Sequence, residues 1–501
     1  MVSTVLSFAT LGIDAIPVKV EVDASRGLPA TIIVGLPDSA VKESKERVRA
    51  AIINSGYPFP VKRIVVNLAP ADVRKEGTLY DLPIALGILG SSGLLNLERV
   101  GRFLIAGELG LKGELHPVKG ILSAAILAKG LGLEGLIVPP QNVEEATLID
   151  GIPVYPVKNL VEAVSFINGD VEIQPAEKTD LRFSFNYPVD FSEVVGQFQA
   201  RRALEIAAAG RHNVFMVGPP GSGKTMLARR LPTILPPMTE GEIIETSRIY
   251  SVAGLTDEVP VLQRPYRAPH TSASDVSIIG GGNSLRPGEV SLAHNGVLFM
   301  DEFPEFKRSV LEALRQPLED RVVTISRASG SVTYPADFLL IAAANPCPCG
   351  YYGFEDEKNY CRCSPSQVKK YRSRISGPIL DRIDLYVPVP AVKPEEFKGS
   401  KKGESSEKIR ERVIKAWEIQ QKRFSKLPIS FNSQMGRKEI RELSEVSPEA
   451  EELLISASKT LGLSARSFDR VLKVSRTIAD LEGSFSVEPH HVAEALSFRE
   501  E

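Results

Sequence analysis

No stretch of this chain holds 18 or more consecutive apolar residues, so nothing in it reads as a membrane-spanning helix. The opening residues, MVSTVLSFATLGIDAIPVKVEV, lack the basic start of a secretory leader and alternate like a strand after Ile13. They read as structure and not as a targeting peptide. Cysteine is scarce: there are 4, and all lie between Cys347 and Cys363. One tight cluster suggests a metal more than a disulfide framework and fits a reduced cytosol, so a cytoplasmic location is expected. A charge imbalance is missing too, because the formal net charge is only -2. Any nucleic-acid partner would have to be held by local basic surface, since the whole-protein field is weak. No internal repeat is visible.

What is present fits a folded chain of several parts. At 501 residues and 43% hydrophobic content, the chain is too long for one core, and two to four domains are expected. Residues 1–168 alternate strands and helices at short spacing. TIIVGL (31–36) reads as a strand and SAVKESKERVRAAIINSG (39–56) as an amphipathic helix. RIVVNLAP follows as a strand, and Asp81 is expected to cap the apolar helix DLPIALGIL. Residues 169–190 are polar, hold two prolines and show no helical period, so they read as a linker. A second α/β block spans 191–395. Residues 396–501 open on a Lys/Glu/Ser-rich stretch and continue as four helical patterns, at 406–424, 448–461, 466–481 and 488–499.

The chemistry concentrates in the second block. Asn213–Val217 reads as a strand, followed by Gly218, Pro219, Pro220, Gly221, Ser222, Gly223, Lys224 and Thr225, then a helix. This is the P-loop pattern in its strand–loop–helix context. Glycines let backbone N–H groups curl around phosphate at a helix N-terminus that favours anions. Lys224 would place a point charge on the β- and γ-phosphates of ATP, and Thr225 a hydroxyl on Mg²⁺. The run GVLFMDE (296–302) reads as a parallel strand buried on both faces and ending in two carboxylates. Asp301 would hold the Mg²⁺ shell and Glu302 would polarise the attacking water. A third apolar strand, FLLIAAAN, ends at Asn345, whose amide can position that water.

Two arginines complete the expected catalytic set. Arg382 in SGPILDRIDL cannot lose its charge, which suits it to act on the transferring phosphoryl group from a neighbouring subunit. The bland alternative is a surface salt bridge. Arg466 stands in the first turn of a helix, where the alternative is an ordinary helix-surface charge. KKYRSRISGPILDR (369–382) could grip nucleic-acid phosphates or serve subunit contacts and ATP. Cys347, Cys349, Cys361 and Cys363 form C-x-C…C-x-C. Four thiolates can close a tetrahedral zinc site, and the alternative is a turn-rich loop of reduced cysteines. RVVTISRASGSVTYPA (321–336) reads as a hairpin, with two alternating runs about Arg327-Ala-Ser-Gly330.

Together these motifs resemble the AAA+ superfamily and, more narrowly, the ComM (YifB-like) family of magnesium-chelatase-related proteins. The resemblance runs over essentially the whole chain. It rests on GLPDSAVKESKERVRAAI, NLAPADVRKEGTLYDLPIALG, VVGQ, GPPGSGKT, RAPH, IGGG, GEVSLAHNGVLFMDE, NPCPCG and SGPILDRIDL. It implies an N-terminal Lon-protease-like domain (ribosomal S5 domain 2-like), a P-loop AAA+ parallel αβα core and a C-terminal α-helical lid of the magnesium-chelatase type. It also implies a homohexameric ring and a helicase that drives branch migration of single-stranded or branched DNA during recombination and natural transformation. In related ring helicases a helix insert and a pre-sensor hairpin point into the pore. The matching residues here are Arg286 on the insert, and Arg327, Ser329 and Gly330 at the hairpin tip. The four-cysteine knuckle (345–364) directly follows Asn345.

Two departures qualify what is carried over. Paired histidines often follow RAP in the family, where this chain has His270-Thr271. Relatives with protease activity place a serine and a lysine where this chain has Ile84 and Leu122. With only Lys119 nearby, a Ser–Lys pair is absent and a non-proteolytic domain is expected. Competing readings are a metal-insertion ATPase like that of magnesium chelatase, an ATP-dependent protease and a nucleotide-switched scaffold.

Overall fold

In a computed structural model the described residues are 2–179, 181, 183, 185–282, 285–327, 330–354, 359–391 and 403–499. The chain divides into two units, one of residues 1–182 with 239–262 and the other of 183–238 with 263–501.

In the first unit, branched aliphatic residues at every second position build the sheet. Val18, Val20 and Val22 in the strand Asp14–Ser25, and Ile64, Val66 and Leu68 in Arg63–Ala69, are all fully buried. Their neighbours along each strand are less covered, so one face of these strands carries the core. The sheet has seven strands, in the order Ala30–Val34, Arg63–Ala69, Asp14–Ser25, Val2–Leu11, Phe103–Ile105, Gly135–Val138 and Val154–Pro156. Val2–Leu11 and Asp14–Ser25 form an antiparallel hairpin closed at Leu11↔Asp14, where Gly12 takes a left-handed φ of 65°. The strands from Val2–Leu11 through Val154–Pro156 run parallel.

Asp81 does not cap its helix. The N-cap of Asp81–Ser91 is Tyr80, and no side chain caps it. Tertiary contacts take the Asp81 carboxylate instead: Arg47 Nε donates to it at 2.8 Å and the Leu109 amide at 3.3 Å. Burial is the largest influence on this carboxyl and pushes it up to about 6, against the opposing pull of Arg47. Ile84 and Leu122 are fully buried.

Residues 239–262 follow residues 183–238 of the second unit in the chain yet pack in this first unit. The helix Glu240–Ala253 starts with a capping box between Thr239 and Glu242. Arg248 donates to the Ile13 carbonyl at 3.0 Å and pairs with Asp14. Ser251 donates to the buried carboxylate of Glu145, which also accepts the Leu122 amide at 2.8 Å.

The second unit is built on five parallel strands, in the order Tyr266–Arg267, Val297–Met300, Leu339–Ala344, Val214–Val217 and Leu385–Pro388. Val297–Met300 and Leu339–Ala344 are buried at every residue, as strands covered on both faces must be. Helices Ser406–Arg423, Pro448–Leu461, Ala465–Glu482 and Pro489–Leu496 share one apolar core with this sheet. Charged clasps flank the core, including Arg202 to Glu494 at 2.7 Å and the buried pair of Arg423 and Asp480 at 2.6 Å.

Candidate functional site

The strand Val214–Val217 runs into the loop Gly218–Gly223 and then the helix Lys224–Arg230. Two glycines are required here by geometry. A Cβ on Gly218 would lie 2.1 Å from the Val389 carbonyl oxygen, and Gly223 takes φ 94° as it caps the helix. Lys224 folds back over the loop, and its Nζ donates to the carbonyls of Gly218 at 2.7 Å and Pro219 at 2.9 Å. Burial pulls its pKa below the usual lysine range, against the attraction of Asp301 and Glu302. Lys224 is thus a desolvated cation held at the loop mouth, where an entering phosphate can exchange for carbonyl partners.

The neighbouring strands bring the other expected residues to this cation. Thr225 Oγ1 donates to Asp301 Oδ2 at 2.7 Å, which sets a hydroxyl and a carboxylate side by side as a Mg²⁺ shell needs. Glu302 adopts φ 51°, rare for a residue with a Cβ, and its amide donates to Asp301 Oδ1 at 2.9 Å. That turn leaves the Glu302 side chain exposed beside the Asp301 carboxylate. Asn345 Oδ1 stands 3.4 Å from Lys224 Nζ. The order of the parallel strands therefore gathers Lys224, Thr225, Asp301, Glu302 and Asn345 at their C-terminal ends.

Arg382 and Arg466 lie elsewhere. Arg382 pairs with Glu319 and donates to the Pro378 carbonyl at 2.5 Å, and Arg466 reaches Asp381 at 3.3 Å. The two arginines are close to each other through the adjoining pair Asp381-Arg382, and neither bonds to the P-loop.

Gln197, which is not among the candidate residues above, also belongs to this region. Gln197 takes φ 51° and spans from the Ser222 carbonyl (3.2 Å) to that of Pro390 (2.6 Å). Beside it opens a cavity of about 950 Å³ lined by Val194, Gly196, Phe198, Pro388, Ile409 and Arg412. Its signal was the VVGQ motif, which carries no charged or nucleophilic group and so does not read as chemistry.

The four cysteines converge. Sγ separations are 3.3 Å for Cys347–Cys349, 3.8 Å for Cys347–Cys361 and 3.7 Å for Cys349–Cys361, and Cys363 completes a group with all four sulfurs within 4.8 Å. A tetrahedron with Zn–S bonds of about 2.3 Å has edges of about 3.8 Å, so the donor set fits zinc. The Arg362 amide is the leading influence that lowers the Cys349 thiol, to about 6. The loop also abuts the P-loop: a Cβ on Gly350 would lie 2.6 Å from Pro220 Cδ.

The insert and the hairpin form one assembly. The hairpin pairs Val322–Arg327 with Gly330–Pro335, and the insert pairs Gly280–Gly281 with Arg286–Pro287. Tyr334 donates to the Leu285 carbonyl at 2.8 Å, and a Cβ on Gly280 would meet Ile325 Cδ1 at 2.7 Å. Arg286 is exposed. Ser329 and the side chain of Arg327 lie outside the described residues.

A P-loop opening a helix from an internal strand of a parallel sheet, with a hydroxyl–carboxylate pair across the next strands, defines the P-loop nucleotide-binding class. Sequence comparison narrows that class. Residues 190–397 match the family described as magnesium chelatase, subunit ChlI. Residues 20–142 match subunit ChlI of Mg-chelatase, and 403–499 its C-terminal family. The competence protein ComM of Haemophilus influenzae is 44% identical over 99% of this chain and 97% of its own. The uncharacterized protein YifB of Escherichia coli is 44% identical over 99% and 97%. A magnesium-chelatase 67 kDa subunit of Heliobacterium mobile is 28% identical over 39% of this chain and 34% of its own. The chain belongs to the ComM/YifB family of magnesium-chelatase-related AAA+ proteins.

Proposed function

We propose that this chain is an ATP-hydrolysing DNA motor of the ComM type, promoting branch migration during homologous recombination and natural transformation. The observation that carries the reading is the P-loop site. A buried Lys224 stands beside a Thr225–Asp301 pair at 2.7 Å, in a chain 44% identical to a competence protein over nearly its full length. Lys224 holds the β- and γ-phosphates, Thr225 and Asp301 hold Mg²⁺, and Glu302 orients the attacking water with Asn345. The cavity beside Gln197 takes the base. Arg382 acts on the phosphoryl group of a neighbouring subunit in a homohexamer, and Arg466 acts from a helical lid of residues 396–501.

The N-terminal segment 1–168 is a Lon-protease-like domain without its nucleophile pair, joined by the linker 169–190 to the core 191–395. Zinc bound at Cys347, Cys349, Cys361 and Cys363 braces the loop that follows Asn345. Arg286 on the insert and Arg327 on the hairpin contact DNA phosphates in the cytoplasm of the cell.

The test is the ATPase rate of the purified chain with and without single-stranded and branched DNA. Stimulation by branched DNA together with strand displacement supports the reading. A second reading is favoured by the magnesium-chelatase family matches over residues 20–142, 190–397 and 403–499: a metal-insertion ATPase. Turnover indifferent to every DNA but stimulated by a metal-insertion partner would select it.

A further inference from the structure

The helix Ala465–Glu482 is fastened to the sheet along its length. Arg466 bonds Asp381 at 3.3 Å, and Arg470 donates to the Ile383 carbonyl at 2.5 Å. Farther along, Thr477 meets a fully buried histidine that the nucleotide chemistry does not use. His212 Nε2 lies 2.8 Å from Thr477 Oγ1, and its Nδ1 lies 3.1 Å from Asp384 Oδ2. His212 stands just before Val214–Val217, the strand that becomes the P-loop. Asp384 stands just before Leu385–Pro388, the strand paired to it at Val214↔Leu385. One imidazole thus ties the bases of two adjacent strands to one helix.

The surroundings are shaped for this contact. A Cβ on Gly210 would lie 2.4 Å from His212 Nε2 and 2.5 Å from Thr477 Oγ1, so no larger residue fits there without moving the pair. Asn432 Nδ2 supports Thr477 Oγ1 from the other side at 3.1 Å. Burial opposes the charge on Asp384, yet the hydrogen bond with His212 holds its carboxyl below the usual range.

Thr477 lies eleven residues beyond Arg466, roughly 16 Å along the helix axis. A tilt of about 10° at the Thr477 end would move Arg466 by roughly 3 Å, a hydrogen-bond length. Misplacement by about 1 Å at a reacting centre can cost about 100-fold in rate.

We propose that His212 is a positioning residue that pins the foot of the Arg466 helix to the base of the P-loop strand, and so sets where Arg466 can reach on a bound nucleoside triphosphate. The proposal rests on the reading of Arg466 given above.

The test is a double-mutant cycle on the full chain, with ATP turnover and ATP affinity measured separately. Thr477→Val removes the hydroxyl at constant shape and Thr477→Ser keeps it. The Val variant should lose at least about tenfold in kcat with its Kd for ATP within about threefold of wild type, while the Ser variant stays near wild type. In an Arg466→Ala background, Thr477→Val should lower kcat no further, because the pin acts through Arg466. Wild-type kcat in Thr477→Val, or a loss that multiplies with that of Arg466→Ala, overturns the pin. An Arg466→Ala chain with unchanged kcat overturns the role of Arg466 and the pin with it. A wild-type chain that hydrolyses no ATP overturns the proposed function itself. If Thr477→Val does not fold, Asp384→Asn replaces it in the same cycle with the same outcomes.

Discussion

At the residue scale, the roles proposed for the P-loop lysine and the two carboxylates after Met300 can be separated. Lys224→Ala should weaken ATP binding, because it removes the charge aimed at the phosphates. Glu302→Gln should retain ATP and Mg²⁺ but hydrolyse at least about 100-fold more slowly, the usual cost of losing a positioned base. Single-turnover hydrolysis measured beside equilibrium binding checks both, and full-rate turnover by Glu302→Gln would remove Glu302 from its role. Asp81 gives a prediction about stability. Its folded pKa of about 6 lies above the usual carboxylate range near 3.8, so its contribution is fully present below that range and is lost as pH rises through 6. Asp81→Asn should therefore gain on wild type by about 2 kcal/mol between pH 4 and pH 7, read from paired denaturant titrations. These residues differ in legibility. Lys224, Thr225, Asp301 and Glu302 announce themselves because motif and element coincide within a few positions. The Asp81 carboxylate looked like a helix cap because the partners that claim it, Arg47 and Leu109, lie 34 and 28 residues away. His212 gives no local signal at all, since Thr477 is 265 residues distant.

At the element scale, the hairpin Val322–Pro335 and the cysteine loop are the parts to probe. Arg327→Ala should lower DNA-stimulated ATP turnover and strand displacement while basal ATP binding persists. The loss should be similar across DNA sequences and DNA binding should weaken steeply with salt, as phosphate contacts require. Normal unwinding of branched DNA by Arg327→Ala would remove the hairpin from the DNA path. The cysteine loop should hold about one Zn²⁺ per chain, measured by elemental analysis of protein purified without chelators. Metal-free protein with intact turnover would mark the loop as four reduced thiols. Helices are legible in periodicity: the pattern at 448–461 is the helix Pro448–Leu461, and 406–424 is Ser406–Arg423. The union of insert and hairpin through Tyr334 and Leu285 was not readable, because register between distant strands leaves no mark on either one alone. The cavity beside Gln197 was hidden for a similar reason, since its walls come from segments almost 200 residues apart.

At the scale of the whole molecule, the proposed ring makes catalysis a shared property. Lys224→Ala and Arg382→Ala chains, each inactive alone, should recover part of the activity when mixed, because some interfaces then pair an intact P-loop with an intact arginine. Mixed rings verified by mass spectrometry yet still inactive would count against an arginine acting across subunits. The charge of -2 bears on this scale too, since a near-neutral chain would have to hold any DNA through geometry and local cations and not through long-range attraction. The excursion of residues 239–262 into the first unit has a consequence for inheritance. A gene cut at codon 182 would yield an amino-terminal fragment lacking Ser251 and Arg248, with the buried Glu145 carboxylate missing one of its donors. A single crossover at that point therefore separates the first unit from the stretch 239–262 that packs in it. Any donor sequence must bring the matching stretch from the middle of the ATPase gene, so the two halves are expected to share one ancestry.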